Sequence, residues 1–170
     1  MLNITKMKKI LKNRVIVTCI EDDLLITDSY RVYKNKKSLY DPKFKEAIAG
    51  KMLKIPENGE TFQIFQRGED PKRLDMDIAS FIKGDYKIQC EITELLYKDF
   101  RVVKIGKKVA FFDNDFIECI KNYKEYDVFA LHEDAYSMIR LSNGDEEYYV
   151  LPIRMPHGVE EIKNILETVE

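Results

Sequence analysis

Asn143 and Gly144 do more than any other pair of residues to limit what this chain can become. Asn-Gly is the strongest short-range signal for the turn of a hairpin. Strand-forming runs lie on either side, so a hairpin is predicted over 136–153. The same plan recurs upstream. Runs at 14–20 and 24–27 flank Glu21-Asp22-Asp23, and runs at 100–105 and 109–112 flank Gly106-Lys107-Lys108. Tyr86, Ile88, Cys90 and Ile92 alternate with Lys87, Gln89, Glu91 and Thr93, the pattern of an antiparallel strand with one wet face. Further strands are expected over 51–55, 61–66 and 127–131, and a basic loop ends the 27–37 segment.

Helices interrupt these strands. Ile4, Met7 and Leu11 recur at helical spacing over 4–12. Asp41-Pro42 opens a helix that Gly50 should stop. Asp77 can cap a third over 78–83, and a fourth is expected over 116–124. Pro156-His157-Gly158 precedes an amphipathic helix over 159–169. The fold class is therefore α+β, a mostly antiparallel sheet with short helices on one face. One domain is expected over 1–155, with a C-terminal helix over 156–170. Three segments align without gaps: YDPKFKEAIA from Tyr40, LDMDIASFIK from Leu74 and FDNDFIECIK from Phe112. Each places an Asp before a helix that precedes strands. This pattern leaves open two repeated halves, 1–84 and 85–155.

The chemistry-bearing residues are sparse. The sequence has 28 Lys and Arg against 30 Asp and Glu, a net charge of −2, so a local basic face is possible but a strongly cationic body is not. Cys19, Cys90 and Cys119 lie in apolar-patterned segments and read as small buried hydrophobes. His132 and His157 have no Cys or His at ligand spacing, so no metal and no cofactor are expected. Asp75, Asp77, Asp113 and Asp115 read as helix caps and first-turn charges rather than as paired catalytic carboxylates. No glycine-rich phosphate loop, nucleophile elbow or zinc-protease motif is present. No apolar run reaches membrane-spanning or signal-peptide length, so a cytoplasmic protein without a membrane partner is expected. A catalytic role has no residue to carry it.

Two segments resemble a known family. Thr27-Asp28-Ser29-Tyr30-Arg31-Val32, directly after an apolar strand, resembles the Thr-Asp-(Gly/Ser)-(His/Tyr)-Arg-Leu motif of the bacterial DNA polymerase III beta sliding clamp. The stretch 148–155, YYVLPIRM, resembles that family's last strand, commonly Tyr-Val-(Val/Leu)-Met-Pro-Met-Arg-Leu. The resemblance is carried mainly by 112–155 and 14–33. It implies a clamp-like replication accessory or processivity protein that acts by binding. It also implies an apolar cleft that docks replication-protein peptides, with Thr27, Tyr30, Arg31 and Val32 on one wall and Val150, Pro152, Ile153 and Arg154 on the other. The chain is far shorter than a three-domain clamp, so a reduced, divergent version is expected, of a kind a phage or mobile element would encode.

In such a protein, double-stranded DNA would be held without reading its sequence, by phosphate contacts. The candidates are Lys6, Lys8, Lys9, Lys12 and Arg14 on the first helix, Lys43 and Lys45 on the second, and Lys121 and Lys124 on the fourth. A homo-oligomer would be needed to encircle DNA. The alternative is a clamp-derived interaction module, a decoy or inhibitor of replication proteins, that keeps the cleft and not the DNA path. A small-molecule enzyme on an α+β fold ranks third.

Overall fold

A computed structural model describes residues 5, 14–52, 54–64, 70–155, 164 and 166–168. The helix expected over 4–12 lies outside the described residues except for Thr5, and the terminal helix is described only at 164 and 166–168, which are helical. The chain runs β1 Val15–Ile20, β2 Asp23–Thr27, β3 Arg31–Lys36, α1 Pro42–Met52, β4 Thr61–Ile64, β5 Lys72–Arg73, α2 Ala79–Ile82, β6 Ile88–Tyr97, β7 Phe100–Ile105, β8 Lys108–Asp113, α3 Asn114–Ile117, β9 Asp127–Ala130, β10 Ile139–Ser142 and β11 Glu146–Val150. The fold is α+β. The strands form one sheet in the order β5-β4-β1-β2-β3-β11-β10-β9-β6-β7-β8, and every pairing is antiparallel.

That order contains a duplication. The first half reads β3-β2-β1-β4-β5 and the second reads β8-β7-β6-β9-β10-β11. In each, a three-stranded meander is followed by a helix, and the next strand returns to pair with the meander's first strand. The segments beginning at Tyr40 and Phe112 occupy equivalent places, each leading from a third strand into α1 or α3. The segment beginning at Leu74 has no such place. It belongs to a strap, residues 74–86, that leaves the first unit and crosses the outer face of the sheet. The two units join where β3 pairs with β11.

The sheet's inner face, α1 and α3 share one core. Val17 and Ile26 of the first unit, Phe44 and Ile48 of α1, Ile117 of α3, and Leu141, Tyr148 and Val150 of the second unit are all buried in it. The outer face carries a second cluster, Ile16, Leu25, Val32 and Tyr149, covered by Ile78 and Ile82 of the strap. A third, Val102, Val109 and Phe111, is flanked by Met155 and by Leu166 of the terminal helix. Glu167 fastens that helix to β8 by accepting from the Val109 amide at 3.2 Å.

Several boundaries differ from the sequence expectation. Helix α1 passes through Gly50 and takes in 51–52, which were expected to be strand, because Met52 continues the buried row of Phe44 and Ile48. The basic loop after Thr27 is instead β3, held between β2 and β11. The helix expected over 116–124 is one turn, α3, followed by turns and a left-handed Asn122. Residues 136–138 precede β10 rather than belonging to it. β11 ends at Val150, since Pro152 offers no amide to extend the ladder.

Candidate functional site

Thr27 to Arg31 closes on itself through its own side chains. The Thr27 hydroxyl accepts from the Ser29 amide at 3.0 Å. Asp28 Oδ1 accepts from the amides of Tyr30 and Arg31, at 3.1 and 3.2 Å. Ser29 takes φ +80° at the turn's apex. Short polar side chains that bond the backbone a few residues on are what make such a turn. The turn delivers the chain into β3, where Arg31 lies opposite Val150 and Val32 opposite Tyr149. The ladder continues for one more bond, from the Leu151 amide to the Tyr30 carbonyl at 2.9 Å. The two segments that carry the family resemblance are therefore neighbours in space.

A cavity of about 210 Å³ opens on the outer face at this junction. Ile16 and Val32 form its floor, and Ile78, Ile82 and Met138 line its sides. Its rim is exposed and apolar: Tyr30 is 61% exposed, Phe81 61%, Met76 41% and Leu151 40%. Large apolar side chains left open around an apolar cavity mark a surface that binds. The strap supplies one wall. It is tied to β4 through Leu74 N to Thr61 O at 2.9 Å. Asp77, at its helical turn, accepts from the Ser80 amide at 3.3 Å.

The expected cleft residues do not all meet. Tyr30 stands on the rim and Val32 on the floor. Thr27 lines the cavity with its hydroxyl already engaged in the turn. Arg31 also lines it, but its side chain is one-tenth exposed. Nε of Arg31 donates to Asp28 Oδ2 at 3.0 Å and Nη1 to Cys119 Sγ at 3.1 Å. Burial alone would lower the guanidinium's pKa; Tyr148, Cys119 and Asp28 around it outweigh that and raise it. Val150 needs correcting as a cleft residue. It is fully buried and belongs to the inner core, because alternation along β11 sends Tyr149 and Leu151 outward and Tyr148 and Val150 inward. Pro152 and Ile153 are half-buried and Arg154 is exposed beyond the strand's end, and none of the three lines the cavity. From there the Ile153 amide reaches the Phe111 carbonyl of β8 at 2.8 Å.

Leu151 and the strap residues Met76, Ile78, Phe81 and Ile82 were not foreseen in this role. Leu74, Met76 and Ile78 alternate in the sequence, a signal that the segment lies extended with one apolar side.

Of the proposed phosphate contacts, Lys6, Lys8, Lys9 and Lys12 lie outside the described residues. Arg14 lines the cavity. Lys43 and Lys45 lie on α1, with Lys43 exposed. Lys121 and Lys124 follow α3, both exposed, and Lys124 pairs with Glu94. No cluster of three metal-ligating side chains exists among the described residues, and no helix there is long and apolar enough to cross a membrane.

Polar order on the outer face centres on Glu147. It accepts from Lys34 Nζ and from the Tyr149 hydroxyl, each at 2.9 Å, and Arg140 Nη1 lies 3.7 Å away. Burial pushes the carboxyl's pKa up; Lys34, Tyr149 and Arg140 pull it further down, and the net shift is downward.

No protein-family description matches the chain, and no curated protein matches it in sequence. Among solved structures it is similar to a DNA polymerase III beta subunit from Eubacterium rectale, at 12% identity and TM-score 0.40, over 91% of this chain and 65% of that one. It is similar to the beta subunit of Borrelia burgdorferi, solved with a natural product, at 9% identity and TM-score 0.42, over 89% and 58%. It is also similar to the sliding clamp of Bartonella birtlesii bound to griselimycin, at 9% identity and TM-score 0.38, over 87% and 59%. The chain spans less than two thirds of the length of each of these.

Proposed function

We propose that this chain is a clamp-like protein-docking module of the replication type, acting by binding and not by catalysis. One observation carries the reading. The two segments that resemble the sliding-clamp motifs adjoin in the sheet, and an apolar cavity with an exposed apolar rim opens where they meet. Its occupant is a short extended peptide that places a large apolar side chain in the cavity, as the resemblance implies for peptides of replication proteins. Leu151, rather than Val150, is the outward residue of the last strand that meets it.

The test uses a library of eight-residue peptides with apolar residues at alternate positions, screened by fluorescence anisotropy. At least one peptide should bind the wild-type protein and lose roughly tenfold or more in affinity to Phe81→Asp. Binding should change little with salt, because the cavity is apolar. Failure of every peptide would sink the reading.

A second reading, sequence-independent holding of duplex DNA by a homo-oligomer, draws on the lysines borne on or just after the two equivalent helices, Lys43, Lys45, Lys121 and Lys124. It expects duplex affinity that falls steeply with salt and a mass by light scattering that is a multiple of the chain's. A strict monomer without DNA affinity leaves the docking module alone.

A further inference from the structure

We propose that Arg31 is a positioning residue rather than a ligand contact: it bolts the turn at the cavity's mouth to α3 on the opposite face of the sheet. The proposal rests on the docking reading above. Arg31 stands where the turn enters β3. Its guanidinium reaches away from the rim toward the core, bonding Asp28 behind the turn and the Cys119 sulfur just past α3. Its Cζ lies 4.1 Å from the ring centroid of Phe116 in α3. Tyr30 lies against the same ring, at 6.2 Å between centroids, and is 61% exposed on the cavity's rim. Phe116 is itself held from the sheet, its carbonyl accepting from the Tyr148 hydroxyl at 2.8 Å.

A continuous chain of contacts therefore runs from the inner helix to the rim: Tyr148 to the Phe116 carbonyl, and the Phe116 ring to Arg31 and Tyr30. The planar guanidinium can donate in its plane to a carboxylate and a thiol while an aromatic ring lies against its face, which an ammonium group cannot do. A ligand carboxylate would have to displace Asp28 from a pair whose side chains are 10% and 13% exposed. Leaving a buried partner unpaired is costly. The cavity's mouth is thus set from the core side, and whatever shifts α3 shifts Tyr30.

Cys119 reports on this bolt. The experiment measures its alkylation by iodoacetamide through peptide mapping, with Cys19 and Cys90 in the same chain as references, in wild type, Arg31→Lys, Phe116→Leu and the double variant. The affinity of each for a peptide selected in the preceding screen is measured alongside. Arg31→Lys should speed alkylation of Cys119 roughly tenfold or more, while Cys19 stays slow, and weaken peptide binding by a similar factor. Phe116→Leu should also weaken binding, and the double variant should be no worse than the poorer single one, because both act through the Phe116 ring.

Wild-type affinity in Arg31→Lys, or losses that add in the double variant, would overturn the proposal in favour of direct contact by the charge. Unchanged alkylation in Arg31→Lys would overturn it as well. Should Cys19 accelerate too, the fold has opened. Asp28→Asn, which keeps Arg31 and the side-chain volume, then decides by the same two readings. If wild type binds no peptide the docking reading fails, and the alkylation rates still decide whether the bolt exists.

Discussion

Neighbouring residues of β11 and its continuation have opposite fates. Val150 fills the inner core and Leu151 stands on the cavity's rim. Val150→Ala removes buried methyl groups and should cost about 2 kcal/mol of stability in urea unfolding. Leu151→Ala should stay within ~0.5 kcal/mol of wild type while weakening any peptide selected on the intact protein. The reverse pattern would place the strand one residue out of register. Glu147 allows a second prediction at this scale. Its folded pKa is depressed below the ordinary carboxylate value, so its contribution is present above the unfolded pKa and is lost as pH falls through the folded one. Wild type and Glu147→Gln should therefore differ in urea midpoint at neutral pH and converge as the pH drops below the usual carboxylate range. A difference that persists unchanged in acid would mean that Glu147 acts through packing alone. The Thr27–Arg31 segment stood out in the sequence as a family motif and not as a turn, although the turn's bonds are local: each short polar side chain serves an amide two or three residues on. The outward role of Leu151 was obscured because a motif resemblance aligns residues without saying which face of the strand each one takes.

The duplicated unit was half visible. Tyr40 and Phe112 do begin equivalent passages from a third strand into a helix, and the aspartate that follows each makes the same bond. Asp41 accepts from the Lys43 amide and Asp113 from the Asp115 amide, both at 2.8 Å. Asp77, two places past the aligned Asp75 of the Leu74 segment, serves one turn within a strap, at the longer 3.3 Å. Asp41→Ala and Asp113→Ala should each cost about 1 kcal/mol, and Asp77→Ala less, measured by urea unfolding. Equal losses at all three would mean that the strap's turn depends on its cap as much as α1 and α3 do. The misread helix after Phe116 has a physical cause. Ile117, Cys119 and Ile120 are all buried, so a chain of successive turns shows the same apolar spacing as a helix until left-handed Asn122 breaks it. At Gly50 the opposite happened: burial of Ile48 and Met52 four residues apart carries α1 through a residue that locally favours a stop.

For the whole molecule, what matters is how the two units share their interior. Each has its own strand order, yet the inner core mixes Val17 and Ile26 of the first with Leu141 and Tyr148 of the second, and α1 and α3 pack into the same cluster. The junction strands β3 and β11 are paired along five positions. Beyond them the Ile153 amide reaches β8, at the far end of the second unit's strand order, so the sheet curls back toward itself. Neither unit could unfold without exposing the apolar face of the other. Unfolding should therefore be a single cooperative transition, with tyrosine fluorescence and far-ultraviolet circular dichroism tracing coincident curves in urea. Tyr33 and Tyr40 of the first unit and Tyr126 and Tyr148 of the second are buried reporters on both sides of the junction. Two separated transitions would mean that the halves hold independent cores. The cavity at their seam would then be a contact between loosely joined parts, and docking there could tighten it. A single transition would mean that the seam is already closed in the folded chain, and that the cavity is a fixed surface feature available to a partner from the outset.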